Sequence, residues 1–298
     1  MQFIVGEYTE RVKLAVQFLT MALEIFQRVL DDTLRKCVGY IALPEEKGFR
    51  PIGTFSFFGD QSTGKTRCFA ITARHVIDGA ASLGHKWVIL RLNKIGGGLQ
   101  LYQTPVDGWT GHNDPAVDVV AFPMGIGLGN DHLAFPLNFV ISPVHQSDLQ
   151  IGIAHPVFMV GLFRHHHGTE RNIPIVRLGT IAAMNEEPVQ TKVYKRDALL
   201  IECRSIGGLS GSPVFVNIPS TYLVPEGAQP PKYAPGSYLL GVVHGHFDDV
   251  GRGPIPDTED VAFGSGVNTG IAIVTPGVKV CELIEQIDSN KDEELGFR

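Results

Sequence analysis

The residue pattern predicts an all-β protein built as two β-rich lobes, with an amphipathic helix before them and a helix after them. Three observations carry that reading. The 298 residues include 34 Gly and 19 Pro, a supply of turns that suits many short strands better than a helical bundle. Apolar residues make up 44% and charged residues 19%, so the chain can bury a sizeable core and is too hydrophobic to stay disordered. Short apolar runs fall into two series, parted by residues 123–150, which are rich in Gly, Pro and Asn and show no sustained periodicity.

Residues 8–36 read as one long helix forming an N-terminal extension (1–36). Leu14, Phe18, Met21, Ile25 and Val29 recur at steps of three and four, as do Leu19, Leu23, Phe26, Leu30 and Leu34. A face that broad needs a cover. The rest of this chain, a partner or second copy, and a membrane surface are the options, the last disfavoured because the polar stripe is not basic. From Cys37 the period shortens. Strands are expected at Val38–Leu43, Gly53–Phe58, Arg67–Thr72, Lys86–Leu92 and Val117–Phe122, forming a first lobe over about 37–130. A second lobe, over about 151–276, carries Val157–Phe163, Ile175–Met184, Ala198–Glu202, Val214–Asn217, Tyr238–Val243 and Gly270–Val274. A proline-rich loop lies between Ile218 and Ser237, and a closing helix over 277–290 follows the Pro276-Gly277 break.

Several classes are disfavoured at once. A net charge of −6 leaves no electrostatic footprint for nucleic acid or anionic membrane. Cys37, Cys68, Cys203 and Cys281 are scattered and form no CxxC pair, which argues against a metal site and a dense disulfide framework while leaving two long-range disulfides open. The most apolar N-terminal window, Val12 to Leu30, is interrupted by Lys13, Glu24 and Arg28 and makes a poor membrane span. No basic n-region with a cleavage site precedes it, so a cytoplasmic location is expected.

The chemistry-bearing stretch is Gly207-Gly208-Leu209-Ser210-Gly211-Ser212-Pro213-Val214-Phe215. Glycines around Ser210 permit tight or left-handed turns, and Pro213 fixes φ at the entry to a strand. Such a loop either presents a hydroxyl beside aimed backbone N–H groups or is an ordinary turn. A serine nucleophile needs a base, and the base needs an orienting acid. His75 follows the apolar run Cys68–Thr72 where the chain turns away from it, and Asp118 is expected to open the apolar strand Val119–Phe122. Each alone reads as well as a surface histidine or a turn aspartate; together, in the order His, Asp, Ser, they point to nucleophilic catalysis.

Thr72-Ala73-Arg74-His75-Val76, Asp118-Val119-Val120 and Gly208-Leu209-Ser210-Gly211-Ser212-Pro213 together resemble the chymotrypsin-like serine proteases, above all the disulfide-poor bacterial-type branch. The resemblance runs from about residue 38 to 290 and implies two antiparallel six-stranded β-barrels with the active site between them. It implies Ser210 as nucleophile, His75 as base and then acid, and Asp118 as the group orienting His75. The backbone N–H groups of Gly208 and Ser210 would form the oxyanion hole. Val243, His244 and Gly245 match the substrate-pairing strand, with Gly266 across the specificity pocket. The implied activity is peptide-bond hydrolysis through an acyl-enzyme, on a protein or peptide substrate and with no cofactor or metal; a silent binding or scaffold protein of the same fold is the alternative.

Departures matter too. Leu209 stands where activated members carry an acidic residue that pairs with a freed N-terminus, so no N-terminal cleavage is expected. Val243 stands where glutamyl endopeptidases carry a histidine, so glutamate specificity does not carry over, and Arg204 is either a pocket-floor cation or a surface residue. Three further motifs are set aside. His165-His166-His167 places neighbours on alternate strand faces, Gly208-x-Ser210-x-Ser212 is not a hydrolase elbow, and Gly64-Lys65-Thr66 lacks the first phosphate-loop glycine.

Overall fold

A computed structural model describes residues 32–294 apart from 47, 62–63, 65, 192–193, 206, 219–232, 235 and 250–266. The expected helix over 8–36 therefore lies outside the described residues except for its last turn, α1 (Asp32–Arg35). No helix among the described residues is long and apolar enough to cross a membrane.

The first lobe contains β1 (Val38–Glu45), β2 (Gly48–Asp60), β3 (Arg67–Thr72), α2 (Arg74–Ser82), β4 (Trp87–Asn93), β5 (Leu99–Pro105), β6 (Thr110–Gly111), β7 (Val120–Pro123) and β8 (Phe135–Pro136). Their order is β5-β4-β1-β2-β3-β7-β6, with β8 parallel to β2. This is an open sheet and not the closed barrel expected. Its outer strands β5 and β6 are joined through a 3-10 turn at Val106–Gly108, and β6 is only two residues long. Side chains close the gap instead: Trp109 donates to Thr104 Oγ1 at 3.2 Å and packs on Phe122, ring centroids 5.5 Å apart.

After α3 (Pro143–Asp148) come β9 (Pro156–Gly161), β10 (Ile175–Ala183), β11 (Val189–Gln190), β12 (Lys195–Arg196), β13 (Leu199–Glu202), β14 (Pro213–Ile218), β15 (Gly236–Asp249) and β16 (Val267–Pro276). Six of these close into a barrel in the order β10-β13-β16-β15-β14-β9, while β11 and β12 pair apart from it. The second lobe is thus the closed barrel that the resemblance implies. The chain ends its described course in α4 (Val278–Glu294), longer than the sequence period suggested.

Alternation of side chains sets the cores. Phe55 and Phe57 turn into the first lobe with Ile41, Leu43 and Leu90, and Val214, Val216, Leu240 and Val243 fill the barrel. A third cluster lies between the lobes and under α4, where Phe58, Phe69, Phe158, Phe215 and Leu239 meet Val280, Leu283, Ile284 and Ile287. Phe135 and Phe215, 5.0 Å apart, and Phe215 and Phe158, 5.4 Å apart, form a run of rings across this junction. Arg67 on β3 ties α4 down, bonding Asp288 Oδ2 at 2.7 Å and pairing with Asp60. All four cysteines are free thiols.

One buried polar group makes the first lobe sensitive to acid. His132 accepts from the Asn93 N–H through Nε2 at 2.8 Å and donates from Nδ1 to the Lys36 carbonyl at 2.9 Å. A proton on Nε2 would face the Asn93 N–H head-on. Burial, against the smaller pull of Lys36 O and Asp131, brings its pKa down to about 4. The folded state therefore binds this proton less readily than the unfolded chain. Its contribution is complete above the ordinary histidine pKa of about 6.5 and is lost as pH falls toward 4, by roughly 3 kcal/mol in all. Urea unfolding at pH 7 and pH 4.5 is expected to show that fall. His132→Gln, less stable at pH 7, should show a flatter pH slope, and an unchanged slope would refute the assignment.

Candidate active site

His75 sits in the first turn of α2, directly after β3. The helix is amphipathic, with Val76, Ile77 and Ala80 buried, yet Ala73 at its N-cap has no side chain to cap it. Asp118 takes over that task from another segment. Its carbonyl accepts from Arg74 N at 3.3 Å and its Oδ1 accepts from His75 N at 3.0 Å. A carboxylate on the orphan N–H groups of a helix start is favoured by hydrogen bonding and by the helix dipole. Asp118 stands two residues before β7 and not at its first position.

The same carboxylate orients the imidazole. Asp118, 4% exposed, accepts from His75 Nδ1 through Oδ2 at 2.8 Å, and His75 Nε2 lies 3.0 Å from Ser210 Oγ. An ionised carboxylate only accepts, so the Nδ1 must carry the proton, which leaves the Nε2 lone pair toward the serine hydroxyl. Burial works against charge on Asp118, but hydrogen bonds from His244 and His75 outweigh it and hold the carboxyl well below the usual range. The site can therefore hold a negative charge behind a neutral imidazole whose free nitrogen meets a hydroxyl.

Ser210 is placed by a turn that the opposite lobe grips. Thr54 on β2, fully buried, donates from Oγ1 to the Gly208 carbonyl at 2.9 Å and from N to the Ser210 carbonyl at 3.0 Å. The same Oγ1 accepts from Leu162 N at 2.9 Å, so one hydroxyl joins three segments. Gly208 has φ +104, and a Cβ there would lie 2.9 Å from Arg164 Cγ and 3.0 Å from Leu162 Cδ2. Both carbonyls turn to Thr54, and the Gly208 and Ser210 N–H groups have no acceptor among the described residues. Leu209 is fully buried in the barrel core, so apolar packing holds the turn at that position.

Gly211 completes the turn at φ +85, where a Cβ would stand 2.1 Å from Thr54 O and 2.3 Å from Thr72 Oγ1. Gly211→Ala is expected to cost about 3 kcal/mol or more, combining left-handed strain with a backbone clash. Thermal unfolding measures it, and a variant as stable as the parent would refute this geometry.

The remaining predicted residues divide. Val243 does not line the cleft: its side chain is in the barrel core, its N–H donates to Ser212 O and its carbonyl accepts from Gly211 N, both at 2.8 Å. Its position on β15 nevertheless sets the next residue, His244, whose carbonyl accepts from Ser210 Oγ at 3.1 Å. Gly245 pairs with Ile273 across β15 and β16, and Gly266 lies outside the described residues. Arg204 is exposed, and His165 and His166 lie in an exposed 3-10 turn capped by the half-buried His167, whose Nδ1 is 3.1 Å from Arg164 O. Among the described residues, the ligand atoms of His75, Asp118 and His244 lie within 4.8 Å of one another, spacing that a metal could use. As they stand, both imidazoles turn Nδ1 to Asp118. Thr54 and the His244 side chain escaped the sequence reading. The alternation Thr54-Phe55-Ser56-Phe57, polar on one face of an apolar strand, was the available signal for the first.

No protein-family model and no curated protein matches this sequence. Solved structures do match. The apo MamO protease domain from Magnetospirillum magneticum aligns with a TM-score of 0.51 at 13% identity, covering 85% of this chain and 97% of that one. Deg5 aligns with a TM-score of 0.43 at 14% identity, over 72% of this chain and 81% of that one. The likeness to the MamO domain is one of fold, and it gives this chain the chymotrypsin-like architecture.

Proposed function

We propose that this chain is a serine endopeptidase. The observation that carries the reading is the continuous relay from Asp118 through His75 to Ser210, at 2.8 and 3.0 Å, beside two backbone N–H groups with no acceptor among the described residues. His75 Nε2 takes the Ser210 proton as Oγ attacks the peptide carbonyl, and the Gly208 and Ser210 N–H groups hold the oxyanion. His75 then returns the proton to the leaving amine, and water cleaves the acyl-enzyme with His75 again as base. Asp118 keeps the proton on Nδ1 throughout and stabilises the imidazolium. The buried, apolar Leu209 supports a turn that is ready without N-terminal trimming.

A fluorophosphonate probe tests this directly, since Ser210 Oγ displaces fluoride at phosphorus only if it is activated. Labelling of the full chain at Ser210 is expected, with none in Ser210→Ala. Well-folded protein that does not label would favour a silent binding protein of the same fold. One contact leans that way: Ser210 Oγ also donates to His244 O, a resting bond that competes with His75.

A further inference from the structure

Arg196 is a buried cation, 7% exposed, that meets no anion among the described residues. It ends β12, whose short pairing with β11 lies outside the barrel. Its Nη1 stands 3.4 Å from His244 Nδ1. His244 is the residue of β15 left without a partner where the register against β16 shifts, and this β-bulge turns its ring to Asp118 Oδ2. A nitrogen that faces a carboxylate carries its own proton, so Nη1 meets a second donor there and not an acceptor. Nε is enclosed without a partner, and Nη2 has none among the described residues. The Tyr194 ring, 5.7 Å from the guanidinium carbon, offers a π-face and no lone pair aimed at these donors.

Burial of a guanidinium is unfavourable unless its charge and its five N–H donors find acceptors of suitable geometry. The position of Arg196 indicates which acceptor fits. The residue it touches, His244, also accepts from Ser210 Oγ through its carbonyl at 3.1 Å. One residue's breadth thus parts the guanidinium from the serine hydroxyl. An extended peptide advances about 3.3 Å per residue, so side chains one or two residues from a bond held at Ser210 come within its reach. We propose that Arg196 is a specificity-determining residue that receives the side-chain carboxylate of an Asp or Glu within two residues of the scissile bond. Its planar fork can present two parallel N–H groups to such a carboxylate. The substrate class is then acidic peptides.

The substrate part rests on the endopeptidase reading; carboxylate binding does not, and can be read without turnover. Full-length Ser210→Ala protein with 15N-labelled arginine is titrated with acetate, and with chloride at equal ionic strength. The Nε–H signal that disappears in Arg196→Lys is expected to shift saturably with acetate and not with chloride. No acetate response would overturn the proposal. For specificity, the site that the parent cuts fastest in denatured casein is remade as short peptides. These carry Glu or Gln at each of the two positions on either side of the bond, amidated and as free acids. At one position Glu should be preferred by about tenfold or more in kcat/KM, and Arg196→Gln should bring that ratio to within about twofold. The ratio is internal to each protein, so a general loss of activity does not imitate it. Equal rates for Glu and Gln at all four positions, or a preference kept in Arg196→Gln, would overturn the proposal. A gain confined to free acids would give the site to a chain terminus and overturn the side-chain assignment. If the parent cleaves nothing, the endopeptidase reading falls, and the acetate titration still decides whether Arg196 holds a carboxylate.

Discussion

Ser210→Ala is expected to lower peptide cleavage to background, about a millionfold, while leaving the fold intact. The change removes one oxygen with two partners, His75 Nε2 at 3.0 Å and His244 O at 3.1 Å. It leaves untouched the bonds that shape the turn, because Thr54 grips carbonyls and not the serine side chain. A melting temperature close to the parent's should therefore accompany the loss. Turnover of fluorescent casein, measured beside the parent, gives the rate. Retention of more than about a hundredth of the activity would place the nucleophile elsewhere, since among the described residues His75 Nε2 meets no hydroxyl but that of Ser210.

Asp118→Asn should cost about ten-thousandfold in the same assay. The amide would keep its oxygen for the His75 N–H, now accepted by Oδ1 at 3.0 Å, and place its NH2 where Oδ2 receives two imidazoles. Two donors cannot face an NH2. His75 would respond by moving its proton to Nε2, the nitrogen that must accept from Ser210, so the base is lost although the geometry survives. Histidine NMR of the variant should show that tautomer, and parent-like activity would remove Asp118 from the relay.

Local pattern carried much of this architecture. The strands around Val38, Arg67, Trp87, Val157, Leu199 and Pro213 were visible because each is a short apolar run bounded by turn residues. Leu99–Pro105 was missed because Gln100 and Gln103 interrupt the apolar positions of a strand lying at the sheet edge. The helix from Arg74 was missed because its start has no local cap; its cap is Asp118, forty-three positions beyond His75. That His75, Asp118 and Ser210 belong to one site was legible since each sits in a recognisable local context. The bulge that turns His244 onto Asp118 was not, because a bulge is a mismatch between two strands and leaves no mark in either one.

Thr54 carries a consequence for any attempt to divide this protein. The turn bearing Ser210 belongs to the closed barrel, yet its shape is stapled by a hydroxyl from the other half. A chain severed within 123–150 would yield two pieces that each lack something indispensable: one has the base and its acid, the other a serine on an unstapled turn. Neither fragment could form the run from Asp118 through His75 to Ser210 by itself, and mixing them would restore it only as fast as the pieces found each other. The molecule thus has the makings of a split reporter whose signal is association itself.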